Sequence, residues 1–183
     1  RDPDQHTGEI SEVGVTSMLS ALPILKATDI FLDVGSGIGN VIAQVALESN
    51  VGCCVGLEVQ RELAELSKSI VASAKDSHLR LTKICVHDDD IRHLRNTTMT
   101  AMQASTVVFS NNLVFDPSSN LALETFVTRA PRLAHAITMD KLCGRHREDC
   151  KRPFCAVWSL HQTIQVSVTW SAKLHSAYWY IKH

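Results

Sequence analysis

Residues Asp29 to Ala46 have the sequence DIFLDVGSGIGNVIAQVA and carry the strongest structural signal in this chain of 183 residues. The apolar run Asp29 to Val34 is typical of a buried strand, and Ile38 to Ser49 has apolar residues at helical spacing. Three closely spaced glycines join the two segments. A strand, a glycine turn and a helix in this order open a Rossmann-like sheet, in which ligands bind beyond the carboxyl ends of the strands.

Strand and helix patterns alternate along the rest of the chain, which predicts an α/β fold with a mostly parallel sheet and helices on both faces. Strands are predicted at 29–34, 53–57, 79–86, 106–110 and 134–139, and helices at 13–25, 38–49, 60–74, 91–102 and 120–129. The helix over 60–74 is predicted to bury Leu63, Leu66, Ile70 and Ala74. The runs 164–170 and 176–181 predict an antiparallel hairpin at the sheet edge. We expect one domain over 1–183, into which a loop and helix over 1–28 lead.

The composition excludes several classes of protein. Hydrophobic residues make up 45%, charged residues 20%, and the formal net charge is −1, so no dominant basic surface for nucleic acid is expected. Nothing approaches the roughly 20 apolar residues that span a membrane, and residues 1–13 lack the apolar run of a signal peptide. Cys53, Cys54 and Cys85 lie in predicted buried strands, which suggests a reducing compartment. The chain opens on Arg1, and we expect it to be a piece of a longer protein.

Acidic residues end the first three predicted strands. Asp33 precedes the glycine turn, whose spacing D-x-G-x-G-x-G differs from the G-x-G-x-x-G that seats a pyrophosphate. A carboxylate there suits a cationic amino-acid end, such as that of S-adenosylmethionine. Glu58 ends the second strand, where an acid can accept both ribose hydroxyls. The triplet 88–90 ends the third strand, where an acid can accept from an adenine amino group; the alternative is solvated loop acids beside a structural turn.

Asn111 to Phe115, with the sequence NNLVF, follow the fourth strand directly. In this architecture that strand end faces the transferred methyl group. The carbonyl of Asn111 can orient a nucleophilic amine, and Phe115 can wall a narrow channel. Methyl transfer is a direct displacement, so positioning and desolvation matter most. The alternative is a plain asparagine turn.

These residues resemble the catalytic domain of the disruptor-of-telomeric-silencing (DOT) methyltransferases, non-SET enzymes that methylate a lysine in the globular core of nucleosomal histone three. The resemblance runs from Thr7 to the end, and its most specific motifs are VVFSNNLVF at 107–115 and VTWSAK at 168–173. It implies a Rossmann-like class I fold, S-adenosyl-L-methionine as cofactor, the nucleosome as partner and a nuclear location. It also implies a monomer that contacts nucleosomal DNA through regions outside this chain.

The resemblance also implies site residues, position by position. Catalytic residues would be Asn111, Phe115 and Tyr178, the last lining the lysine channel. Cofactor-binding residues would be Thr7, Gly8, Glu9, Ile10, Phe31, Asp33, Val34, Gly35, Ser36, Gly37, Gly39, Asn40, Glu58, Asp89, Asp90 and Ile91. Asp90 and Ile91 match the Asp-Phe pair at the adenine, and a register that uses Asp89 stays open.

The sequence departs from the family pattern at four site positions. Thr7 stands for a tyrosine, Asn40 for a glutamine, and Ile91 and Leu113 each for a phenylalanine. Two alternatives to a histone-lysine methyltransferase therefore stay open. One is a nucleic-acid amino-methyltransferase, because NLVF loosely resembles an N-P-P-Y loop without its prolines. The other is a degenerate paralogue that binds cofactor without turnover.

A basic, cysteine-containing segment precedes the last two strands. Cys143, Cys150 and Cys155 lie in it, with His146 among them. The spacing C-x6-C-x4-C is not the paired CxxC pattern of common zinc sites, so no metal is predicted. The segment is expected to be an exposed insertion between the fifth and sixth strands, and its basic residues could face a nucleosome.

Overall fold

The computed structural model describes residues 8–145 and 150–183. Five α-helices are seen in these ranges: α1 (Glu12–Ala21), α2 (Asn40–Glu48), α3 (Arg61–Ala74), α4 (Asn96–Gln103) and α5 (Pro117–Arg129). The strands there are β1 (Ile30–Val34), β2 (Cys53–Glu58), β3 (Ile84–Asp88), β4 (Val107–Ser110), β5 (His135–Thr138), β6 (Trp158–Val168) and β7 (Ser171–Lys182). Short 3-10 helices cover Leu79–Lys83 and Asn112–Val114.

All seven strands form one sheet in the order β3-β2-β1-β4-β5-β7-β6. The strands β1 to β5 pair in parallel, and β7 pairs antiparallel with both β5 and β6. The predicted α/β fold with an antiparallel edge hairpin is therefore confirmed. The chain runs outward in opposite directions from β1 and β4, so a crevice opens between the carboxyl ends of these neighbours.

Alternate residues of the strands supply two separate hydrophobic cores. Phe31 of β1 packs in the core that includes Ile42 of α2, whereas its neighbour Leu32 packs in the core that includes Leu123 of α5. Successive side chains of a strand point to opposite faces, so the sheet is covered on both. The predicted three-layer arrangement is confirmed. Within the described ranges, no helix is long and apolar enough to cross a bilayer.

Several predicted boundaries differ from the structure. The helix predicted from residue 91 begins only at Asn96, because Asp89 and Asp90 hold Arg95 and Arg92 in the preceding turn. The strand predicted over 79–86 is a 3-10 helix up to Lys83, followed by β3. The hairpin strands β6 and β7 are longer than the alternating runs that predicted them.

The predicted inward stripe of α3 was wrong at two of its four positions, because Leu63 and Ala74 are partly buried but Leu66 and Ile70 are exposed. Leu66 and Ile70 are 48% and 44% exposed, whereas Ser67 and Val71, each one position further along, are buried. A Cβ placed on Gly39 would lie 2.5 Å from the Ser67 hydroxyl, so α3 packs too closely on the glycine turn for a leucine on that face. Cys85 is likewise exposed rather than buried.

Candidate active site

A cavity of about 380 Å³ lies at the carboxyl ends of β1 to β4. Most of the residues predicted to bind a cofactor or act in catalysis line it together. They are Gly8, Glu9, Ile10, Asp33, Val34, Gly35, Ser36, Gly37, Asn40, Glu58, Asp89, Asp90, Ile91, Asn111 and Phe115. Residues far apart in the sequence therefore converge at the crevice that the strand order creates.

Four predicted site residues lie elsewhere. Phe31 is fully buried in the core, in register with its neighbours on β2 and β4. Gly39 caps the start of α2 with a φ of 89° and lies against α3 instead of the cavity. Tyr178 pairs with Thr138 across β5 and β7, and the Lys141 ammonium lies 5.2 Å from its ring centre. Thr7 lies outside the described residues.

The glycine turn brings the backbone close to the cavity. Gly35, Gly37 and Gly39 all have positive φ values, which favour glycine. A Cβ on Gly35 would lie 2.9 Å from the Phe115 ring, so the ring packs directly on bare backbone. The turn and Phe115 therefore form one wall of the cavity.

Glu58 holds the glycine turn in place. It is 5% exposed, and its two carboxylate oxygens accept from the backbone N–H groups of Gly37, at 2.7 Å, and of Gln60, at 2.8 Å. Each oxygen keeps lone-pair capacity for a further donor. Glu58 thus organises the glycine turn and remains an acceptor at the cavity surface.

Asp33 carries the most unusual electrostatic environment of the site. It is 2% exposed, and its Oδ1 atom is buried with no hydrogen-bond partner among the described residues. Burial, then the charges of Glu58 and Glu9, raise the pKa of Asp33 from 3.8 to about 8. A buried carboxylate without a partner is costly, and a cationic ligand group would supply the missing one. The ammonium and sulfonium of S-adenosylmethionine fit this requirement.

The three consecutive aspartates after β3 are divided between structure and cavity. Asp88 pairs with Lys68 and Arg95 and does not line the cavity. The carboxylate of Asp90 accepts from the Arg92 guanidinium through both oxygens, and this lowers its pKa. Asp89 and Asp90 both line the cavity, so either one is placed to accept from an adenine amino group.

Asn111 is positioned by the segment that precedes α1. Its Nδ2 donates to the Gly8 carbonyl, and its Oδ1 is buried with no hydrogen-bond partner among the described residues. The side chain therefore presents an unused acceptor beside the cavity. Its neighbour Asn112 has a structural role, because its amide bonds Asn120 and the backbone of Asp140.

The motif VTWSAK at 168–173 forms the turn between β6 and β7 and has a part in the site that the sequence did not predict. In the structure Thr169 exchanges two backbone-directed hydrogen bonds with Glu9, at 2.9 and 3.2 Å. A Cβ on Gly8 would lie 2.2 Å from the Trp170 ring, so the indole packs on this glycine. Glu9 in turn accepts from Asn40 at 2.7 Å. The β6–β7 turn thus clamps residues 8–11 onto the cavity, a long-range pairing that no local pattern signals.

Comparison with known proteins identifies the family. The family model of the histone methylation protein DOT1 matches residues 4–182. A histone-lysine N-methyltransferase of Dictyostelium discoideum, H3 lysine-79 specific, is 30% identical over 139 residues, 72% of this chain. A protein of the same description from Eremothecium gossypii is 26% identical over 129 residues, 64% of this chain. The aligned regions span 7% and 21% of the lengths of those relatives.

Solved structures show the fold independently. The RNA methyltransferase of Salinibacter ruber, in complex with S-adenosyl-L-homocysteine, superposes with a TM-score of 0.59 at 20% identity. The match covers 90% of this chain and 87% of that one. The sheet is therefore that of the class I methyltransferases. On the family match, the chain belongs to the family of the histone methylation protein DOT1.

Proposed function

We propose that this chain is the catalytic domain of a protein-lysine methyltransferase that uses S-adenosylmethionine and acts on histone H3 in the nucleosome. The observation that carries the proposal is that one cavity is lined by two residues with a buried, unpartnered side-chain oxygen among the described residues, Oδ1 of Asp33 and Oδ1 of Asn111. One fits a cationic cofactor, and the other fits a methyl acceptor that donates a hydrogen bond. Family membership supports the substrate, because both curated relatives are H3 lysine-79 specific.

The acids of the cavity would divide the cofactor between them. Asp33 and Glu9 form an electronegative end for the amino-acid part, next to the glycine turn. Glu58 would accept from the ribose hydroxyls, and Asp89 or Asp90 from the adenine amino group, with Ile91 against the ring. When bound, the cofactor supplies an electrophilic methyl group.

The residues after β4 would hold the methyl acceptor. The Asn111 carbonyl can accept from the amine and direct its lone pair along the line of displacement. Phe115 and Val114 line the same cavity and would give its acceptor side an apolar wall, which favours the neutral, nucleophilic amine over the ammonium. The chain would contribute the positioning of the amine and the exclusion of water. A nucleosomal substrate implies a nuclear protein that acts on chromatin.

The proposal is tested by supplying labelled S-adenosylmethionine and, separately, nucleosomes, free histones and nucleic acid to the full-length protein. We expect label on a lysine of histone H3 in nucleosomes, identified by mass spectrometry. Label on nucleic acid instead would show that the protein is a nucleic-acid amino-methyltransferase. Cofactor binding by calorimetry without label on any substrate would show a non-catalytic relative.

Asn111→Ala should cut turnover much more than cofactor affinity. The Oδ1 atom of Asn111 would face the methyl acceptor, whereas Asp33 and Glu58 would hold the cofactor, so its contribution is greatest in the transition state. Loss of the hydrogen bond from Nδ2 to the Gly8 carbonyl accounts for the small change expected in cofactor affinity. We expect kcat to fall at least about a hundredfold with cofactor affinity changed by less than about fivefold. Steady-state kinetics on nucleosomes and calorimetry measure the two effects.

The matched control is Leu113→Ala, because Leu113 is 44% exposed in the same turn and does not line the cavity. It should leave both quantities near the wild-type values. Equal turnover for Asn111→Ala and wild type would reduce Asn111 to a turn residue, while the cofactor half of the proposal would stand.

A further inference from the structure

Three cysteines converge in the connection between β5 and β6, outside the cavity lining. The Sγ atoms of Cys143, Cys150 and Cys155 all lie within 4.8 Å of one another. Cys143 is buried, and the other two are half-buried. The sequence spacing argued against a metal, but spacing measures distance along the chain and not the distance that the folded connection leaves between the thiols.

The separation of the thiols matches the ligand spacing of a tetrahedral ion. The Sγ atoms of Cys143 and Cys150 are 3.8 Å apart. Zinc–sulfur bonds of about 2.3 Å at the tetrahedral angle place two sulfurs about 3.8 Å apart. A disulfide needs about 2.05 Å and would use only two of the three thiols. The arrangement of three sulfurs around one point therefore favours a shared ion over a covalent pair.

The surroundings of the cluster hold its ligands in place. The backbone N–H of Arg152 hydrogen-bonds Cys150. The Arg152 guanidinium pairs with Glu124 of α5, which is 8% exposed, so this backbone segment is anchored to the core. Hydrogen bonds to ligand sulfurs from an anchored backbone are typical of the outer shell of metal sites.

We propose that Cys143, Cys150 and Cys155 bind one zinc ion, whose fourth position is open to water or to a further ligand. Three thiolates select a thiophilic ion over a hard cation such as magnesium. The ion would hold the β5–β6 connection together. Asp140 lies near the start of this connection, and its backbone is hydrogen-bonded by Asn112, the residue next to Asn111. The inference concerns a structural site and is independent of the proposed methyl transfer.

Metal analysis of the protein tests the proposal. Protein purified under reducing conditions, without chelators or metal-affinity steps, is loaded with zinc, freed of excess and analysed by plasma mass spectrometry. We expect about one zinc per chain in the wild type. Cys143→Ser and Cys150→Ser should each lower the content at least about tenfold. Cys85→Ser removes an exposed thiol outside the cluster and should leave the content unchanged.

Cobalt substitution keeps the test informative if a serine variant fails to fold. Cobalt bound by three thiolates in wild-type protein should give strong thiolate-to-metal charge-transfer absorption and the visible bands of a tetrahedral site. Wild-type protein that retains neither ion after loading would overturn the proposal. A Cys143–Cys150 disulfide found by mass spectrometry in reduced, zinc-loaded protein would overturn it as well.

Discussion

At the scale of single residues, Asp33 combines two properties that rarely coexist in an inert side chain. It is almost completely buried, and one of its oxygens has no hydrogen-bond partner within the described ranges. Such a group is stable when it keeps a proton, or when a cation arrives to neutralise it. Asp33 therefore makes the ligand-free and ligand-bound proteins respond differently to pH.

The affinity for S-adenosylmethionine should rise with pH below about 8. The pKa of Asp33 is raised to about 8, so at lower pH most of the free protein holds the proton that a cationic ligand must displace. Only the ionised fraction binds well, which gives about a tenfold gain per pH unit between roughly pH 6 and 7. Calorimetry in buffers of different ionisation enthalpy should also detect proton release on binding.

Asp33→Asn should abolish this pH dependence and leave a low affinity for S-adenosylmethionine that does not change with pH. Glu62→Gln, which neutralises an exposed acid on α3, should keep it. The free wild-type protein should lose stability as pH rises from about 4 to about 8, because the unfolded carboxyl ionises while the folded one keeps its proton. A wild-type affinity that is level across this window would contradict the assignment.

Glu58→Ala should lower cofactor affinity at least roughly tenfold. Charge-assisted hydrogen bonds contribute about 1.5–3 kcal/mol each, and the variant also frees the Gly37 N–H that shapes the turn. Denaturation of the ligand-free variant separates the two effects, since only loss of the turn lowers its stability. Equal calorimetric affinities for variant and wild type would remove Glu58 from the site.

The residues that the sequence could predict are those whose chemistry follows a strand end. Asp33 and Glu58 are found in this way because parallel strands bring their carboxyl ends to one edge. The role of Trp170 could not be predicted. Trp170 acts by packing on Gly8, and the periodicity of a local sequence says nothing about contacts between residues so far apart in the chain. Tyr178 was placed by family resemblance, and in the structure it lies on β7, outside the cavity lining.

At the scale of elements, α3 shows where periodicity misleads. The stripe through Leu66 and Ile70 has the right spacing for a buried face but lies one position away from the buried one. The most hydrophobic residues did not define the core side, because the turn at Gly39 requires a small residue, Ser67, at closest approach. Close packing overrode the hydrophobic pattern.

Truncations on α3 should follow the structural face. Val71→Ala removes buried methyl groups and should cost about 1–3 kcal/mol of unfolding free energy. Leu66→Ala removes more atoms, yet it should cost less than about 0.5 kcal/mol because the side chain is 48% exposed. Urea denaturation of both variants measures the difference. A larger loss of unfolding free energy in Leu66→Ala than in Val71→Ala would support the stripe predicted from the sequence.

Trp170→Ala should weaken cofactor binding without unfolding the protein. The indole is 42% exposed, but it packs on Gly8, whose carbonyl accepts from Asn111. We expect the affinity for the cofactor to fall about threefold to tenfold, because residues 8–11 would be less ordered in the free protein and binding would have to order them. Leu174→Ala, on the same hairpin and 61% exposed, is the control for calorimetry. Similar losses in the two variants would argue against the clamp.

At the scale of the whole molecule, the sequence predicted the sheet better than its edge. Runs such as Asp29 to Val34 are continuous and apolar because strands buried on both faces need no polar side, so their number and their places along the chain could be predicted. The hairpin β6–β7 was recognised only over its alternating parts, because residues 158–163 of β6 and 171–175 of β7 are too polar to predict a strand.

The pairing of Glu9 with Thr169 also affects when the cavity can form during synthesis of the chain. The two residues stand 160 positions apart, so the wall of the cavity is closed by two segments that are synthesised at different times. At usual rates of synthesis the ribosome needs on the order of ten to thirty seconds to supply the second after the first. During that interval the glycine turn and its acids already exist in the nascent chain, but residues 8–11 have nothing to pair with. Chains interrupted before the hairpin would therefore lack the contacts that hold residues 8–11, and we expect quality control to recognise their open crevice.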